Sequence, residues 1–273
     1  MVNYRPSQVL CQINMEGKTV LVTGSTSGIG LATAKMFLNR GCDVIVTGIA
    51  EQSVIDNVLS DMSKLPGKVI FIPVDLTEKS SIHAFCQNVD AVYPDGVDVL
   101  INNAGIQHVC PVEEFPDVKW DEMIGVCLSA PFHLIKHFLS AMKRKGWGRI
   151  INMSSQMGLI SAPGKAPYSA AKSGLIGLTK GVALEAAEFG VTCNAVCPGF
   201  CVTAMTDKQF VVLAEKWNTT AAEAKERFIR EGHPTKKATE ISQVTDYIWF
   251  LCSPGADNMT GTAVPLDGGN TSR

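Results

Sequence analysis

Short β-rich runs alternate with helical stretches along this chain from end to end, and that alternation narrows the fold more than any other feature. Residues 18–23, 43–47, 69–74, 97–102, 149–153, 191–196 and 262–266 read as seven strands. Between them, Ile29, Met36, Phe37 and Leu38 fall near helical spacing and Gly41 stops the run. Residues 53–64 form a helix ended by Pro66 and Gly67, and residues 80–92, 118–145, 167–188 and 240–251 complete the helical set. Lys143, Arg144 and Lys145 suit the C-terminal dipole of the 118–145 helix, Gly146 ends it, and Pro131 is expected to bend it. Strands that alternate with helices in this way build a parallel sheet covered on both faces. Right-handed crossovers make it doubly wound, with the ligand site at the C-terminal strand ends. No linker or repeat divides the chain, so residues 17–270 read as one domain. Residues 1–16 read as a short arm before it, and the charged stretch 206–237 as helices in a long insertion.

Composition removes several function classes. Apolar residues make up 46% of the 273 and charged residues 18%, which supports a large buried core and argues against disorder. The net charge of −2 leaves no basic excess for binding nucleic acid. The longest uncharged stretch, 189–206, contains Gly190, Asn194, Pro198 and Gly199 and is a poor membrane span. Nine cysteines without a CxxC pair, and without a histidine at metal-ligand spacing, read as free buried thiols with no metal site. A reducing compartment follows, taken as the cytoplasm, with the mitochondrial matrix as the alternative. The N-terminus carries no visible secretory signal.

The glycine turn TGSTSGIG, residues 23–30, follows the first strand and opens the first helix. Gly24 permits the sharp turn, Gly28 the close approach of a pyrophosphate, and Gly30 tight packing of helix on sheet, while the helix N-terminus faces the phosphates. Thr26, Ser27 and Ile29 share this loop. The GxxxGxG spacing differs from the commoner GxGxxG fingerprint. Other motifs stand at other strand ends: NNAG at 102–105, Ser155 after the fifth strand, Tyr168 and Lys172 one helical turn apart, and Pro198-Gly199 after the sixth.

Together these blocks resemble the short-chain dehydrogenase/reductase family over about residues 17–270. The resemblance implies a Rossmann-like fold and a nicotinamide cofactor contacted by Gly24, Thr26, Ser27, Gly28, Ile29, Gly30, Asp75, Leu76, Asn102, Ala104, Gly105, Tyr168, Lys172, Pro198, Gly199 and Thr203. NAD is expected rather than NADP, because neither the glycine turn nor residues 47–51 carry a Lys or Arg for a 2′-phosphate; Glu51 is a candidate for the ribose hydroxyls. By the same resemblance Tyr168 is the general acid/base, Lys172 its cationic partner and a ribose contact, and Ser155 the group that holds the substrate oxygen. A phenol titrates near pH 10, and an ammonium one turn away favours the phenolate. One position departs: the family's Asn in the bent helix is Cys127 here, which loses an amide from the proton relay.

Within the family the chain looks most like the branch that interconverts D-3-hydroxybutyrate and acetoacetate. Residues 102–108, 114–121, 128–130 and 208–216 carry that likeness. It implies a small carboxylate substrate held by Gln107, Lys165 and Gln209, with one charge partner and two amides suiting a short anion. Met157, Phe200 and Asn270 replace a His and two Trp of that branch, which predicts a pocket less polar at one wall and roomier at another. A larger or less charged hydroxy or keto substrate is the alternative, and a non-catalytic NAD-binding scaffold a further one. The family usually forms tetramers, so a homotetramer built on the 118–145 and 167–188 helices is expected, with the 204–237 insertion closing over the substrate as a lid.

Overall fold

The structure, a computed structural model, describes residues 14–272, apart from the side chains of 204–209. Most of the expected 1–16 arm therefore lies outside the described residues. Seven strands run parallel: β1 (Thr19–Val22), β2 (Asp43–Val46), β3 (Val69–Phe71), β4 (Val99–Asn102), β5 (Gly148–Met153), β6 (Val191–Pro198) and β7 (Ala263–Leu266). Their order across the sheet is β3-β2-β1-β4-β5-β6-β7. The helices are α1 (Gly28–Leu38), α2 (Gln52–Met62), α3 (Lys79–Val92), α4 (Asp117–Ile124), α5 (Ala130–Lys145), α6 (Ala166–Ala186), α7 (Ala204–Trp217), α8 (Ala221–Gly232) and α9 (Ile241–Leu251).

The strand register explains the two cores. Leu21, Ile45, Leu100 and Ile150 stand abreast across β2, β1, β4 and β5. They pack with Phe85 of α3, Phe138 of α5 and Val182 of α6. The residues that alternate with them, Val20, Val22, Val44, Val46, Val99 and Ile101, face the other side and meet Phe37 of α1 and Ile248 of α9. Period-two alternation with both sets apolar is what a sheet covered on both faces requires. Strand β3 stops short of its expected end because Pro73 has no N–H to give the ladder.

The long 118–145 helix is divided. A wide turn over Gly125–Ser129 separates α4 from α5, with the Ala130 N–H donating to the Gly125 carbonyl five residues back. The irregularity thus precedes Pro131, which occupies the first turn of α5. Without an N–H, Pro131 cannot donate to the Cys127 carbonyl, and the widened turn absorbs the mismatch. Gly146 ends α5 in the left-handed conformation, φ 67°, with its N–H returned to Lys143 and Met142.

A buried amide chain ties the sheet to α6. Asn102 and Asn152 face each other in register, and the Asn102 amide donates to Asn152 Oδ1 at 2.8 Å. Asn152 in turn donates to Thr179 Oγ1 at 2.9 Å, and Thr179 donates to the Leu175 carbonyl. Asn152→Ala strands the Asn102 amide in a dry interior, so urea unfolding is expected to show a loss of about 1–3 kcal/mol.

Candidate active site

Sheet order reverses between β1 and β4, and a cleft of about 550 Å³ opens at the C-terminal ends of β1, β4, β5 and β6. Gly24, Thr26, Ser27, Gly28 and Ile29 line one side, and Asp75, Leu76, Ala104 and Gly105 stand beside them. Ser155, Tyr168, Lys172, Pro198, Gly199 and Thr203 line the other. Asn103, the second residue of the NNAG motif though not among the expected contacts, also lines it, as do Ser154, Met153, Ile106, Gly48 and Ile49, which no motif had singled out.

The Thr23 hydroxyl organises the turn. Its Oγ1 accepts from the N–H groups of Asn103 at 3.0 Å and Ala104 at 2.9 Å, and the Asn103 side chain donates to the carbonyls of Thr23 and Gly24. A hydroxyl immediately before a glycine turn was the available sequence signal for this clamp. Asn102 does not reach the cleft: it is buried below it, in the amide chain to β5, and Asn103 takes the wall position. Alternation along β4 turns the Asn102 side chain into the sheet interior, and the chain leaves the ladder at the next residue.

The cleft fits a dinucleotide. Gly24 and Gly28 adopt φ +61° and +54°, a region that side chains resist. A Cβ on Gly28 would project into the space facing Thr203, and one on Gly30 would lie 2.3 Å from the Gly24 carbonyl oxygen. The N-terminus of α1 opens at Gly28 with no acidic residue in its first turn, leaving its amide N–H groups to an anion. Asp75 Oδ1 accepts from the Thr77 hydroxyl and N–H, which hold its carboxyl below the usual carboxylate range.

Tyr168 stands in the first turn of α6 and Lys172 one turn on. The Lys172 Nζ lies 5.6 Å from the Tyr168 ring centre and donates to the Met153 carbonyl at 2.8 Å. Burial alone would lower this ammonium, but its electrostatic interactions with Cys127, Tyr168 and Cys197 shift its pKa above the ordinary lysine value. Ser155 Oγ accepts from the Met157 N–H at 3.1 Å and is hydrogen-bonded to the Tyr168 phenol. Burial pushes that phenol above the ordinary tyrosine value, with Lys172 and Ser155 pulling it down. The lysine acts with the expected sign, and desolvation is the larger effect.

Cys127 is fully buried against Ala171 and Met123, with the Tyr168 ring packed on them, and its thiol faces the Ile106 carbonyl at 3.7 Å. A Cβ on Gly105 would lie 3.5 Å from Lys172 Nζ and 3.7 Å from Cys127 Sγ, so thiol and ammonium flank one point.

Gln107 and Lys165 do not line the cleft. Their segments meet nevertheless: the Cys110 N–H donates to the Gly164 carbonyl at 3.1 Å. Lys165 is half-buried, burial lowers its pKa, and its ammonium has no partner among the described residues. The side chain of Gln209 lies outside the described residues. Met157 and Phe200 are buried, and Asn270 is bonded to Gln156, so none of the three forms the altered cleft walls expected of them. Phe200 instead nucleates an aromatic cluster with Phe210 of α7, Phe228 of α8 and His233.

A doubly wound sheet, a glycine-lined cleft at its switch point and a Ser–Tyr–Lys group beside it define a dinucleotide-binding oxidoreductase. Residues 18–211 match the family model described as short chain dehydrogenase. The chain is 41% identical to a D-beta-hydroxybutyrate dehydrogenase of Rhizobium meliloti, over 94% of this chain and 99% of that one. It is 35% identical to a 3-oxoacyl-(acyl-carrier-protein) reductase of Thermotoga maritima, over 94% of this chain and 99% of that one. Among solved structures, an actinorhodin polyketide ketoreductase with NADPH superposes with a TM-score of 0.87 at 31% identity, covering 94% of this chain and 98% of that one. The chain belongs to the short-chain dehydrogenase/reductase family, whose oxidoreductases use a nicotinamide cofactor.

Gly30→Ala forces the Gly24 carbonyl to move, and overpacking of this kind costs about 1–3 kcal/mol. Titration of NADH fluorescence is expected to show affinity reduced about tenfold or more.

Proposed function

We propose that this protein is an NAD-dependent dehydrogenase that interconverts D-3-hydroxybutyrate and acetoacetate. The observation that carries the substrate is Lys165: a half-buried ammonium without a partner among the described residues, three residues before Tyr168. Such a charge gains most from a carboxylate that follows it out of water. The likeness to the Rhizobium enzyme supports the same reading. For the cofactor, Lys172 is the one cation among the described residues lining the cleft, and it belongs to the Tyr168 end. With no cation beside Gly48 and Ile49 among the described residues that line the cleft, a 2′-phosphate has no charge partner there, so NAD is preferred.

The bound cofactor supplies hydride transfer; the side chains hold the substrate and move its proton. Ser155 donates to the substrate oxygen and keeps it at the phenol of Tyr168. Tyr168 takes the hydroxyl proton in oxidation and returns it to the ketone in reduction. Lys172 stabilises the phenolate and is itself oriented by the Met153 carbonyl. Lys165 does not line the cleft itself, so its long side chain must reach past the first turn of α6 to grip the carboxylate. The protonated phenol serves reduction and the phenolate serves oxidation, so oxidation should accelerate as pH rises.

The direct test is NADH formation from D-3-hydroxybutyrate, with Tyr168→Phe as the inactive control. Turnover of a 3-oxoacyl thioester but not of acetoacetate would assign the chain instead to reduction of a larger substrate, as in the Thermotoga relative. Lys165→Ala should raise KM for the free acid about 10–100-fold, as expected for a lost charge-assisted bond, with little change for its methyl ester. Equal effects on both would remove the lysine from substrate recognition. Lys172→Met takes away the cation that favours the phenolate. In a pH–rate profile the rising limb of alcohol oxidation should therefore move to higher pH and its plateau should fall.

A further inference from the structure

The last residues of the described chain form a hook against the catalytic loops. After β7, Asp267 accepts from the Gly269 N–H through Oδ1 at 3.0 Å and from the Thr271 N–H through Oδ2 at 2.8 Å. Burial alone would raise this carboxyl, but hydrogen bonds from Thr271, Gly269 and Asn270 hold it below the ordinary range. Gly268 and Gly269 turn the chain with φ +63° and +84°. The hook touches three neighbours. The Gly199 N–H donates to the Leu266 carbonyl at 2.9 Å, and a Cβ on Gly199 would lie 2.7 Å from Asp267 Cα. The Thr235 N–H, where the insertion returns from α8, donates to the Gly268 carbonyl at 3.2 Å. Asn270 Nδ2 donates to Gln156 Oε1 at 3.0 Å, across 114 residues of sequence.

Gln156 directly follows Ser155 and starts the short turn Gln156–Gly158, into which Ser155 Oγ is bound through the Met157 N–H. Its side-chain oxygen also sits 3.3 Å from the position a Gly199 Cβ would take. One part-buried amide pair therefore joins the end of the chain to the loop that carries Ser155, beside the loop that carries Pro198 and Gly199. We infer that Asn270, acting through Gln156, is a positioning residue for Ser155 in hydride transfer. Neither amide lines the cleft, so the pair acts on the geometry of Ser155 and not on substrate or cofactor directly. Misplacing a catalytic group by about 1 Å costs up to about a hundredfold in rate, whereas binding of the dinucleotide depends on other contacts.

The activity readout rests on the proposed oxidation of D-3-hydroxybutyrate; the second readout does not. Asn270→Leu keeps the side-chain size and removes the bond. It should lower kcat about tenfold, with KM, the NADH dissociation constant and Tm close to wild type. Asn270→Asp should restore kcat, because the Gln156 amide can rotate to donate to the carboxylate. The double variant Asn270→Leu with Gln156→Leu should be no slower than the slower single variant. In the NADH-bound protein, hydrogen exchange of backbone amides 154–158 should quicken in Asn270→Leu and that of 20–30 should not. Multiplicative kcat losses, failure of Asn270→Asp to rescue, or parallel loss of NADH affinity and Tm would overturn the assignment. Wild-type protein inert towards D-3-hydroxybutyrate would refute the substrate reading alone; the exchange of 154–158 would still decide the role of Asn270, and no change there would overturn it.

Discussion

The reversal of strand order between β1 and β4 is the constraint on which the rest depends. Crossovers from β1 to β2 and β3 carry the chain towards one edge, and the later crossovers carry it towards the other. At the carboxyl ends of β1 and β4 the connections diverge, and neither covers the gap. The candidate groups that line the cleft follow the carboxyl ends of β1, β3, β4, β5 and β6 or stand in the first two turns of α1 and α6. The Thr23 hydroxyl then fixes how the β1 and β4 ends meet, by accepting the two N–H groups that leave β4.

A second constraint is electrostatic. Lys172 is a buried cation held by one carbonyl, that of Met153, and burying a charge is tolerable only where its hydrogen bonds are met. That carbonyl ends β5, so the strand that precedes Ser155 also orients the cation beside Tyr168. The same desolvation that raises the phenol's pKa strengthens the field Lys172 exerts on it. Catalytic posture and burial are two aspects of one packing arrangement, with Cys127 of the Gly125–Ser129 turn and Ala171 of α6 forming its wall.

All seven strands were legible in the chain, because each is a short apolar run bounded by glycine, proline or a polar turn. Their limits were less so: Pro73 shortened β3, and the 118–145 helix broke at Gly125–Ser129, before the proline expected to bend it. Tyr168 and Lys172 were legible as a pair through their four-residue spacing, which a helix converts directly into a shared face, while Ser155 and the three roles came from the family resemblance. Asn102 was misjudged because two adjacent asparagines at a strand end point to opposite sides, and the motif alone does not say which side faces the ligand. Asn270 was read as a pocket wall, although its partner, Gln156, lies 114 residues away.

What the sequence determined by itself is therefore local: the order of strands and helices, the turn that only glycines can make at Gly24 and Gly28, and the one-turn spacing of Tyr168 and Lys172. These follow from backbone sterics and from periodicity, which act between near neighbours. Tertiary structure alone decided that desolvation outweighs Lys172 at the Tyr168 phenol, that Asn103 and not Asn102 lines the cleft, and that the chain's last turn is bonded to the loop bearing Ser155. Burial and long-range pairing depend on which distant residues exclude water or supply a donor, and no window of neighbouring residues contains that information.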